Sequence, residues 1–402
     1  MLRRLVSIVV VLAAAACAAD CDRYGGWKVV RGKKTGFFHT QKIKGRWWLV
    51  TPDGNAFFSK GVCHVAFDPE NASAPPAPTD RAQWARQTAG QLRGWGFNTA
   101  GSWSYSEFAS ADFVFTPIVN VASSVQRDLW LKGTVPDYFG QEFHDAAERV
   151  AQRVCEPLSK NKWLLGYFTD NELRWGPDWR SKESLLESYL KFDAASPGRK
   201  KAEDLLRSRG RNAGSLTDDD KAAFVELAAA EYARVSREAI LRHDPNHMVI
   251  GCRFAGYAPE PVLRGVAKYF DVISYNTYSP TTPVERMNQI ANITGKPTMV
   301  TEFSFKAMDS GLPNTKGAAK PVATQQERAE GFTRFVQGLA TMPHCVGFHW
   351  FQYRDQPKEG RRLDGENSNY GVVKLDGSPW EVLTTRMKEV NAGIESLALK
   401  SR

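Results

Sequence analysis

Short, nearly continuous apolar runs alternate with helical segments along most of the chain. Eight such runs are found, at 56–62, 97–103, 114–121, 164–171, 248–254, 270–278, 298–305 and 346–353. Continuous apolar runs are typical of parallel strands that are buried on both faces of a sheet. Helical segments between and after them include 80–95, 142–158, 283–294, 324–341 and 380–392. Strand followed by helix, repeated eight times, predicts an α/β fold of the (β/α)8 or TIM-barrel type.

Two segments do not follow this repeat. Residues 36–50 contain a turn at 44–45, which predicts an N-terminal β-hairpin that leads into the first strand. The segment 176–242 is too long for one helix and contains a helix start at Thr217. We expect it to be a helical insertion after strand four, beside the mouth of the barrel, with a small separate domain as the alternative. Because closure needs all eight units, residues 24–396 are predicted to form a single catalytic domain.

The N-terminus has the features of an export signal. Arg3 and Arg4 precede an apolar run at 5–16, which is too short to span a bilayer as a stable helix. Residues 1–16 are therefore predicted to be a signal peptide. The small residues before Cys17 resemble a bacterial lipoprotein box, in which Cys17 carries a lipid anchor; simple cleavage after a nearby alanine is the alternative. Either reading predicts an exported protein that is periplasmic, anchored to the outer membrane or extracellular.

The composition excludes disorder and narrows the choice of partner. Apolar residues make up 42% and charged residues 24% of the chain, as in globular proteins. The net charge is +9, and removal of residues 1–16 lowers it by two. Because the lysines and arginines are dispersed, a nucleic-acid partner is not expected. The positive charge suits an anionic glycan, or non-specific attraction to anionic cell surfaces.

The cysteines and histidines do not form metal-binding patterns. The cysteines beyond the signal lack CxxC spacing and are Cys21, Cys63, Cys155, Cys252 and Cys345. This scatter argues against a zinc site or a disulfide framework and favours buried free thiols, with one disulfide as the alternative. Near the strand ends stand only His64 and His349, which disfavours a metal-dependent hydrolase. No metal or cofactor is expected.

Two glutamates follow apolar runs at positions suited to catalysis, since barrel enzymes carry catalytic residues at the carboxyl ends of their strands. The fourth run ends in Thr-Asp-Asn-Glu at Glu172, and the seventh contains Thr-Glu-Phe around Glu302. Cleavage of a glycosidic bond needs two carboxyl groups that face each other. One protonates the leaving oxygen, and the other attacks the anomeric carbon or activates a water. A solvated loop acid or a buried ion-pair partner is the alternative for each.

Motifs along most of the chain resemble those of a known group of enzymes. Glu172 and Glu302 at these strand ends resemble the catalytic pair of clan A retaining glycoside hydrolases. More narrowly, six segments resemble the β-agarase-like enzymes of glycoside hydrolase family 50 and their unassigned relatives. They are GRWWLVTPDG (45–54), FFSKGV (57–62), WGFNTAGSW (95–103), GYFTDNELRW (166–175), GCRFA (251–255) and DSGLPNT (309–315). The resemblance extends from about residue 36 to residue 392.

The resemblance implies a double-displacement mechanism, with Glu172 as the general acid/base and Glu302 as the nucleophile. Their carboxyl groups are expected to lie roughly 5–5.5 Å apart. Burial and the neighbouring negative charge are expected to raise the pKa of Glu172, whereas a donor is expected to hold Glu302 in its ionised form. Asn171, beside the acid, is expected to hydrogen-bond the sugar 2-hydroxyl; a turn asparagine is the alternative.

Polar residues at other strand ends are candidates for substrate binding or for tuning the carboxyl groups. Arg253 ends the fifth strand and is expected to hold Glu302 or a substrate oxygen bidentately, with a structural ion pair to Asp170 or another acid as the alternative. Asn276 and Tyr278 end the sixth strand. The Tyr278 hydroxyl is expected to donate to Glu302, with a packed core tyrosine as the alternative.

Aromatic residues and a histidine near the strand ends are candidates for sugar contacts. Trp350 ends the eighth strand and is expected to form the floor beneath the reacting sugar, with core packing as the alternative. Trp103 is expected to line the same cleft or to pack in the core, and His64 to bind a sugar hydroxyl or to be structural. Trp175 and Trp179 follow the acid/base and are expected to form outer subsites, or else to pack on the surface.

The loop 306–323 follows the nucleophile and is rich in glycine and proline. A loop of this length usually has a function, so it is predicted to lack regular structure and to cover part of the cleft. A flexible surface loop is the alternative.

The leading hypothesis is a retaining glycoside hydrolase that cleaves β-linked galactan-type poly- or oligosaccharides resembling agarose, with anionic galactans as one option within that class. One alternative is a clan A hydrolase of another β-linkage, such as a β-galactosidase, β-glucuronidase or mannanase. The other is a non-catalytic glycan-binding lipoprotein that keeps the barrel as a platform. The presence of both glutamates argues against the non-catalytic reading, because a hydrolytically inactive relative would more often lack one of them.

Overall fold

A computed structural model describes residues 20–66, 78–256 and 258–400 of the protein. The predicted signal peptide and Cys17 lie outside these residues. Within the described ranges, no helix is long and apolar enough to cross a membrane. The five cysteines in those ranges are free thiols, and four of them are buried.

The chain opens with a four-stranded antiparallel sheet in the order β1-β4-β3-β2. Its strands are β1 (Trp27–Arg31), β2 (His39–Ile43), β3 (Arg46–Val50) and β4 (Asn55–Phe57). Lys44 and Gly45 connect β2 to β3 with φ of 49° and 84°, as a two-residue hairpin turn requires. The predicted hairpin is therefore present as half of a larger sheet. The first predicted strand was wrong in one respect, because the run 56–62 divides between β4 in this sheet and β5 in the next.

The central strands are parallel. The seven-stranded sheet has the order β10-β11-β12-β15-β5-β6-β7, and a separate parallel pair joins β8 to β9. These strands are β5 (Ser59–Val62), β6 (Thr99–Ala100), β7 (Val114–Phe115), β8 (Gly166–Phe168), β9 (Met248–Gly251), β10 (Phe254–Ala255), β11 (Ile273–Asn276), β12 (Thr298–Phe303) and β15 (Cys345–Trp350). Parallel bridges link the segment after β7 to β8, at Ile118 to Phe168 for example. Each of the eight predicted runs contributes a strand, and the carboxyl ends of these strands lie at one edge.

Helices follow most of the strands. They are α1 (Arg81–Gly94), α2 (Leu129–Lys132), α3 (Gln141–Cys155), α4 (Leu185–Leu190), α5 (Pro197–Ser208), α6 (Asp218–His243), α7 (Glu260–Ala267), α8 (Val284–Thr294), α9 (Gln325–Thr341), α10 (Glu381–Asn391) and α11 (Ile394–Lys400). Local sequence explains where several of them begin. The Asp80 side chain caps α1, and Thr217 forms a capping box with Asp220 at the start of α6.

Two predictions about connecting segments need correction. The segment 176–242 is not an insertion throughout, because α6 packs between α3 and α7 in the layer of helices that follows the strands. Only α4 and α5 are additions to that layer. The loop 306–323 is not irregular either. It contains the short parallel pair β13 (Lys306–Ala307) and β14 (Pro321–Val322), with a 3-10 turn between them.

The neighbouring strands β12 and β15 of the seven-stranded sheet bury side chains on both faces. His349 contacts Ser59 and Phe168 on one face. Phe303 and Trp350 lie on the opposite face, where aromatic side chains of α9 cover them. Burial on both faces is the reason that these strands read as continuous apolar runs in the sequence.

The C-terminal helix is fastened to the sheet by a buried ion pair. Lys60 Nζ of β5 lies 2.5 Å from Glu395 Oε1 of α11 and also donates to the Asn391 carbonyl at 3.1 Å. The side chains of Lys60 and Glu395 are 8% and 7% exposed, so water hydrates neither charged group well. Each therefore depends on the other.

Candidate active site

A cleft of about 1060 Å³ opens at the carboxyl ends of the strands. Seven of the ten predicted site residues line it, namely His64, Trp103, Asn171, Glu172, Asn276, Tyr278 and Glu302. They come from five different strand ends that are far apart in sequence. The cleft is therefore a product of the strand arrangement, as expected for a site at this edge of a parallel sheet.

Glu302 lies at the base of the cleft and is 5% exposed. Arg253 Nη2 donates to its Oε1 at 2.8 Å, and the Tyr278 hydroxyl donates to its Oε2 at 2.6 Å. Burial, followed by the charge of Glu302, raises the pKa of Tyr278 well above its usual range, so this phenol keeps the proton that it donates. Each carboxylate oxygen of Glu302 thus has its own donor.

Arg253 is fully buried and touches the site from below. Its Nη1 donates to Asn171 Oδ1 at 2.8 Å, and its Nη2 donates to the Thr301 carbonyl as well as to Glu302. The guanidinium carbon lies 4.2 Å from the centroid of the Trp103 ring. Arg253 therefore contacts Glu302 through one hydrogen bond rather than bidentately, and its side chain is fully buried.

The alternative partner proposed for Arg253 has a different role. Asp170 accepts hydrogen bonds from the backbone N–H groups of Ala122 and Ser123 and from the Tyr232 hydroxyl, at 2.7–3.0 Å. This fully buried carboxylate thereby ties the end of β8 to the segment that follows β7. Burial raises its pKa to about 6.

Glu172 faces Glu302 from the end of β8 and lies in a contrasting environment. Its Oε1 accepts a hydrogen bond from Asn276 Nδ2 at 2.8 Å. Burial, followed by the negative charge of Glu302, raises the pKa of Glu172 to about 7. Its backbone has φ of 50°, in the left-handed region, and its N–H donates to the Arg253 carbonyl. Its carbonyl in turn accepts a hydrogen bond from Arg180 Nη1 at 2.7 Å, so both backbone polar groups of this strained residue are paired.

The amide orientation of Asn171 follows from its partners. Its Oδ1 accepts from Arg253 Nη1 at 2.8 Å and from Asn276 Nδ2 at 3.1 Å. Because a guanidinium can only donate, the atom that faces it must be the oxygen. The NH2 group of Asn171 is then left for the cleft, which this residue lines.

Trp103 and His64 both line the cleft. Trp103 is 38% exposed and has φ of 59°, while the Arg253 guanidinium stacks on its ring. His64 also has a positive φ, of 52°, and its Nδ1 lies 3.4 Å from Gln352 Oε1. Positive φ is uncommon for bulky residues, and here it accompanies a location at the cleft.

Two of the predicted sugar-contacting tryptophans lie elsewhere. Trp350 is fully buried, its indole nitrogen donates to the Tyr370 carbonyl at 2.8 Å, and its ring packs against aromatic side chains of β12 and α9. It is a core residue, and the prediction that it forms a sugar floor was wrong. Trp175 is 6% exposed and packs against Tyr138 and Tyr232, so its assignment to an outer subsite was also wrong.

Several cleft residues were not found from the sequence. Phe351, Arg361 and Glu366 come from the segment after β15, and Arg361 Nη2 lies 3.0 Å from a Glu366 carboxylate oxygen. Trp130 comes from α2, a four-residue helix. The sequence feature that could have indicated them is their position after strand ends, which both segments share. Ala318 of the 306–323 loop also lines the cleft.

Within the described ranges, no group of three or more histidine, cysteine, aspartate or glutamate side chains is arranged to hold a metal ion.

Comparisons with known proteins place the chain near the agarases. No protein-family model matches the sequence. It is 27% identical to Beta-agarase B of Vibrio sp. (strain JT0107), over 94% of this chain and 50% of that protein. It is also 27% identical to Beta-agarase A of the same strain, over 87% of this chain and 45% of that protein. The chain is agarase-like.

Solved structures extend this similarity to the fold. The agarase AgWH50C superposes with a TM-score of 0.81 at 28% identity, over 94% of this chain and 66% of that one. An exo-beta-agarase gives a TM-score of 0.82 at 25% identity, over 94% and 68%. A beta-glucuronidase of an uncultured Clostridium shares the fold more distantly, with a TM-score of 0.55 at 14% identity, over 88% of this chain and 53% of that one. The chain spans about half the length of the two Vibrio agarases.

Proposed function

We propose that this protein is a glycoside hydrolase that cleaves agarose-like, β-linked galactan by double displacement, with retention of anomeric configuration. The observation that carries the proposal is the contrast between two carboxyl groups in one cleft. Glu302 accepts hydrogen bonds from a guanidinium and a phenol, as a carboxylate nucleophile requires. Glu172 accepts a hydrogen bond from a neutral amide, and its pKa of about 7 lets it carry a proton near neutral pH.

The two glutamates act in sequence. In the first step, a Glu302 oxygen bonds to the anomeric carbon while the bond from that carbon to the leaving oxygen breaks, and the leaving oxygen takes the Glu172 proton. The result is a glycosyl ester on Glu302 and an ionised Glu172. In the second step, Glu172 removes a proton from a water, which attacks the anomeric carbon and releases Glu302 as a carboxylate.

The surrounding residues prepare these groups. Asn171 presents its NH2 group to the sugar 2-hydroxyl, a contact that strengthens in the transition state. Arg253 and Tyr278 orient Glu302. The Tyr278 hydroxyl keeps its hydrogen bond to Glu302 as the carboxylate becomes an ester. Asn276 orients both Asn171 and Glu172, with hydrogen bonds of 3.1 and 2.8 Å.

Cleft-lining side chains beyond this group contact the substrate in the proposal. Trp103 and His64 line the cleft. Trp103 offers a ring face to the C–H groups of a sugar, and His64 offers a ring nitrogen to a hydroxyl.

We also infer that the parallel strands close into a (β/α)8 barrel and that residues 24–396 form one catalytic domain. Two observations support this inference. Bridges connect the segment after β7 to β8, and β9 leads at once into β10, which pairs with β11. Those links join the two ends of the seven-stranded sheet through the β8–β9 pair.

Agarose-like galactan is proposed as the substrate because the relatives at 25–28% identity carry agarase names. The charge of +7 that remains when residues 1–16 are removed, two below the +9 of the full chain, favours chains that carry anionic groups, since a cationic protein attracts them at long range. A hydrolase of another β-linkage is the alternative among enzymes. Residues 1–16 are proposed to direct export, with Cys17 as a lipid anchor.

The test uses the wild type with Glu172→Gln and Glu302→Gln. Each is assayed on agarose, sulfated galactans and a panel of aryl β-glycosides, with the product anomer followed by NMR. The wild type should release the β-anomer first, and each variant should lose roughly a hundred- to ten-thousandfold in rate. Glu330→Gln, an exposed glutamate on α9, serves as the matched control and should retain full activity.

Chemical rescue separates the two roles. With azide present, Glu172→Ala should form the β-glycosyl azide, because azide attacks the glycosyl ester from the side where water enters. Glu302→Ala should form the α-glycosyl azide, because azide then replaces the nucleophile. An α-anomer as the first product of the wild type would contradict the nucleophile assignment. Glycan binding without hydrolysis of any substrate would favour the non-catalytic platform.

A further inference from the structure

Trp179 is an exposed aromatic side chain at the rim of the cleft. It is 66% exposed and lines the cleft together with Trp130. A single exposed apolar side chain is ordinary on a protein surface. Trp179 differs from such residues because its ring stacks on the guanidinium of Arg180, whose central carbon lies 4.2 Å from the ring centroid.

The Arg180 side chain is buried, and all three of its nitrogens donate hydrogen bonds. Its side chain is 3% exposed, and its Nε and Nη2 both donate to Asp178, at 2.9 and 2.6 Å. Its Nη1 donates to the backbone carbonyls of Trp130 and Glu172, at 2.6 and 2.7 Å. A buried guanidinium with this many partners cannot turn without losing several charge-assisted hydrogen bonds. The surface on which Trp179 stacks is therefore rigid.

The same arginine links the two cleft tryptophans to the catalytic acid. It contacts the ring of Trp179, the carbonyl of Trp130 and the carbonyl of Glu172, so one guanidinium fixes the distances between these three residues. A flat apolar surface fixed in this way suits the C–H face of a pyranose ring, since aromatic faces attract polarised C–H groups and lose little entropy on binding.

We propose that Trp179, mounted on Arg180, is a sugar-stacking subsite that receives a ring of the glycan chain beyond the sugar that reacts. The subsite rests on the proposed function and adds chain-length preference to it. Long oligosaccharides and polymers reach Trp179, whereas an aryl glycoside of a single sugar ends at the catalytic pair. Removal of the ring should therefore weaken only the binding of long chains.

The experiment measures binding without turnover, in the Glu302→Gln background. Agarose oligosaccharides of increasing length, and sulfated galactan oligosaccharides of matched lengths, are titrated by calorimetry into Glu302→Gln with and without Trp179→Ala. Trp179→Ala should weaken the long chains roughly three- to tenfold and leave the shortest unchanged. Trp179→Phe should recover most of the loss. Val382→Ala, which trims an exposed apolar residue on α10 outside the cleft, should change nothing.

Two results would overturn the subsite. One is equal affinity for long chains with and without Trp179→Ala, and the other is failure of Glu302→Gln to bind any of these chains. The experiment distinguishes failure of the subsite from failure of the proposed function. A length-dependent loss on Trp179→Ala, in a protein whose wild type hydrolyses none of the chains, would uphold the subsite and refute the hydrolase.

Discussion

The environment proposed to make Glu172 an acid should also destabilise the folded protein above neutral pH, and Glu172→Gln should relieve that cost. In the folded protein its pKa rises from an ordinary value of 4.5 to about 7. Between these values the folded state holds a proton that the unfolded state has released. Stability therefore falls as pH rises from 4.5 to 7 and is level above it.

The size of the effect follows from the same two values. At about 1.4 kcal/mol for each pH unit, the raised pKa corresponds to about 3 kcal/mol. Glutamine is neutral at every pH and keeps an oxygen for the Asn276 amide, so it mimics the protonated acid. Glu172→Gln should match the wild type in stability near pH 4 and exceed it by about 3 kcal/mol at pH 8.

The assay is denaturant unfolding of both proteins at several pH values between 4 and 8. Glu330→Gln, exposed on α9, is the control and should give a small difference that does not depend on pH. A difference between wild type and Glu172→Gln that stays constant across the range would refute the reasoning. A variant less stable than the wild type at pH 8 would refute it outright, because burial would then not oppose the ionised form.

Three further predictions follow from contacts in and below the cleft. The rate constant kcat/KM should fall above about pH 7 as Glu172 loses its proton, and its pH profile checks this. Tyr278→Phe removes one of two donors to Glu302 and should lower kcat/KM roughly ten- to hundredfold without changing the circular dichroism spectrum. Lys60→Met should lower the unfolding free energy by about 3–5 kcal/mol, because it leaves Glu395 buried without its cation; adding Glu395→Leu should restore much of the loss in denaturant melts.

The two glutamates were predictable because their signal is local. Glu172 and Glu302 each end an apolar run, and a barrel edge is where polar residues after such runs converge. Asn171, Asn276 and Tyr278 were found by the same rule. That rule depends only on where a strand stops, so approximate strand bounds were sufficient.

The rule failed at Trp350 because it ignores which face of a strand a residue occupies. Side chains alternate across a strand. His349 faces Ser59 and Phe168, so Trp350 must face the other way, towards α9. Phe351 follows and lines the cleft instead. In a run that is apolar on both faces, the sequence shows no alternation from which this direction could be read.

Trp175 and Trp179 show the same division within one segment. Both follow Glu172, and the sequence offers no reason to separate them. The structure buries Trp175 against Tyr138 and Tyr232 and leaves Trp179 at the rim on Arg180. The partners of Trp175 lie more than 30 residues away in the chain, and Arg180 is itself held by the Trp130 carbonyl, 50 residues away. No local pattern contains these contacts.

The sequence by itself determined the order of the eight parallel strands, their approximate ends and the pair of acids, because these depend on apolar periodicity, capping and turn residues over a few positions. The tertiary structure alone decided how the acids differ. Arg253 and Tyr278 come from other strands to hold Glu302, and burial beside Glu302 raises the pKa of Glu172. A carboxyl group's proton affinity depends on the charges and the solvent within a few ångströms of it, and only folding brings those charges together and removes that solvent.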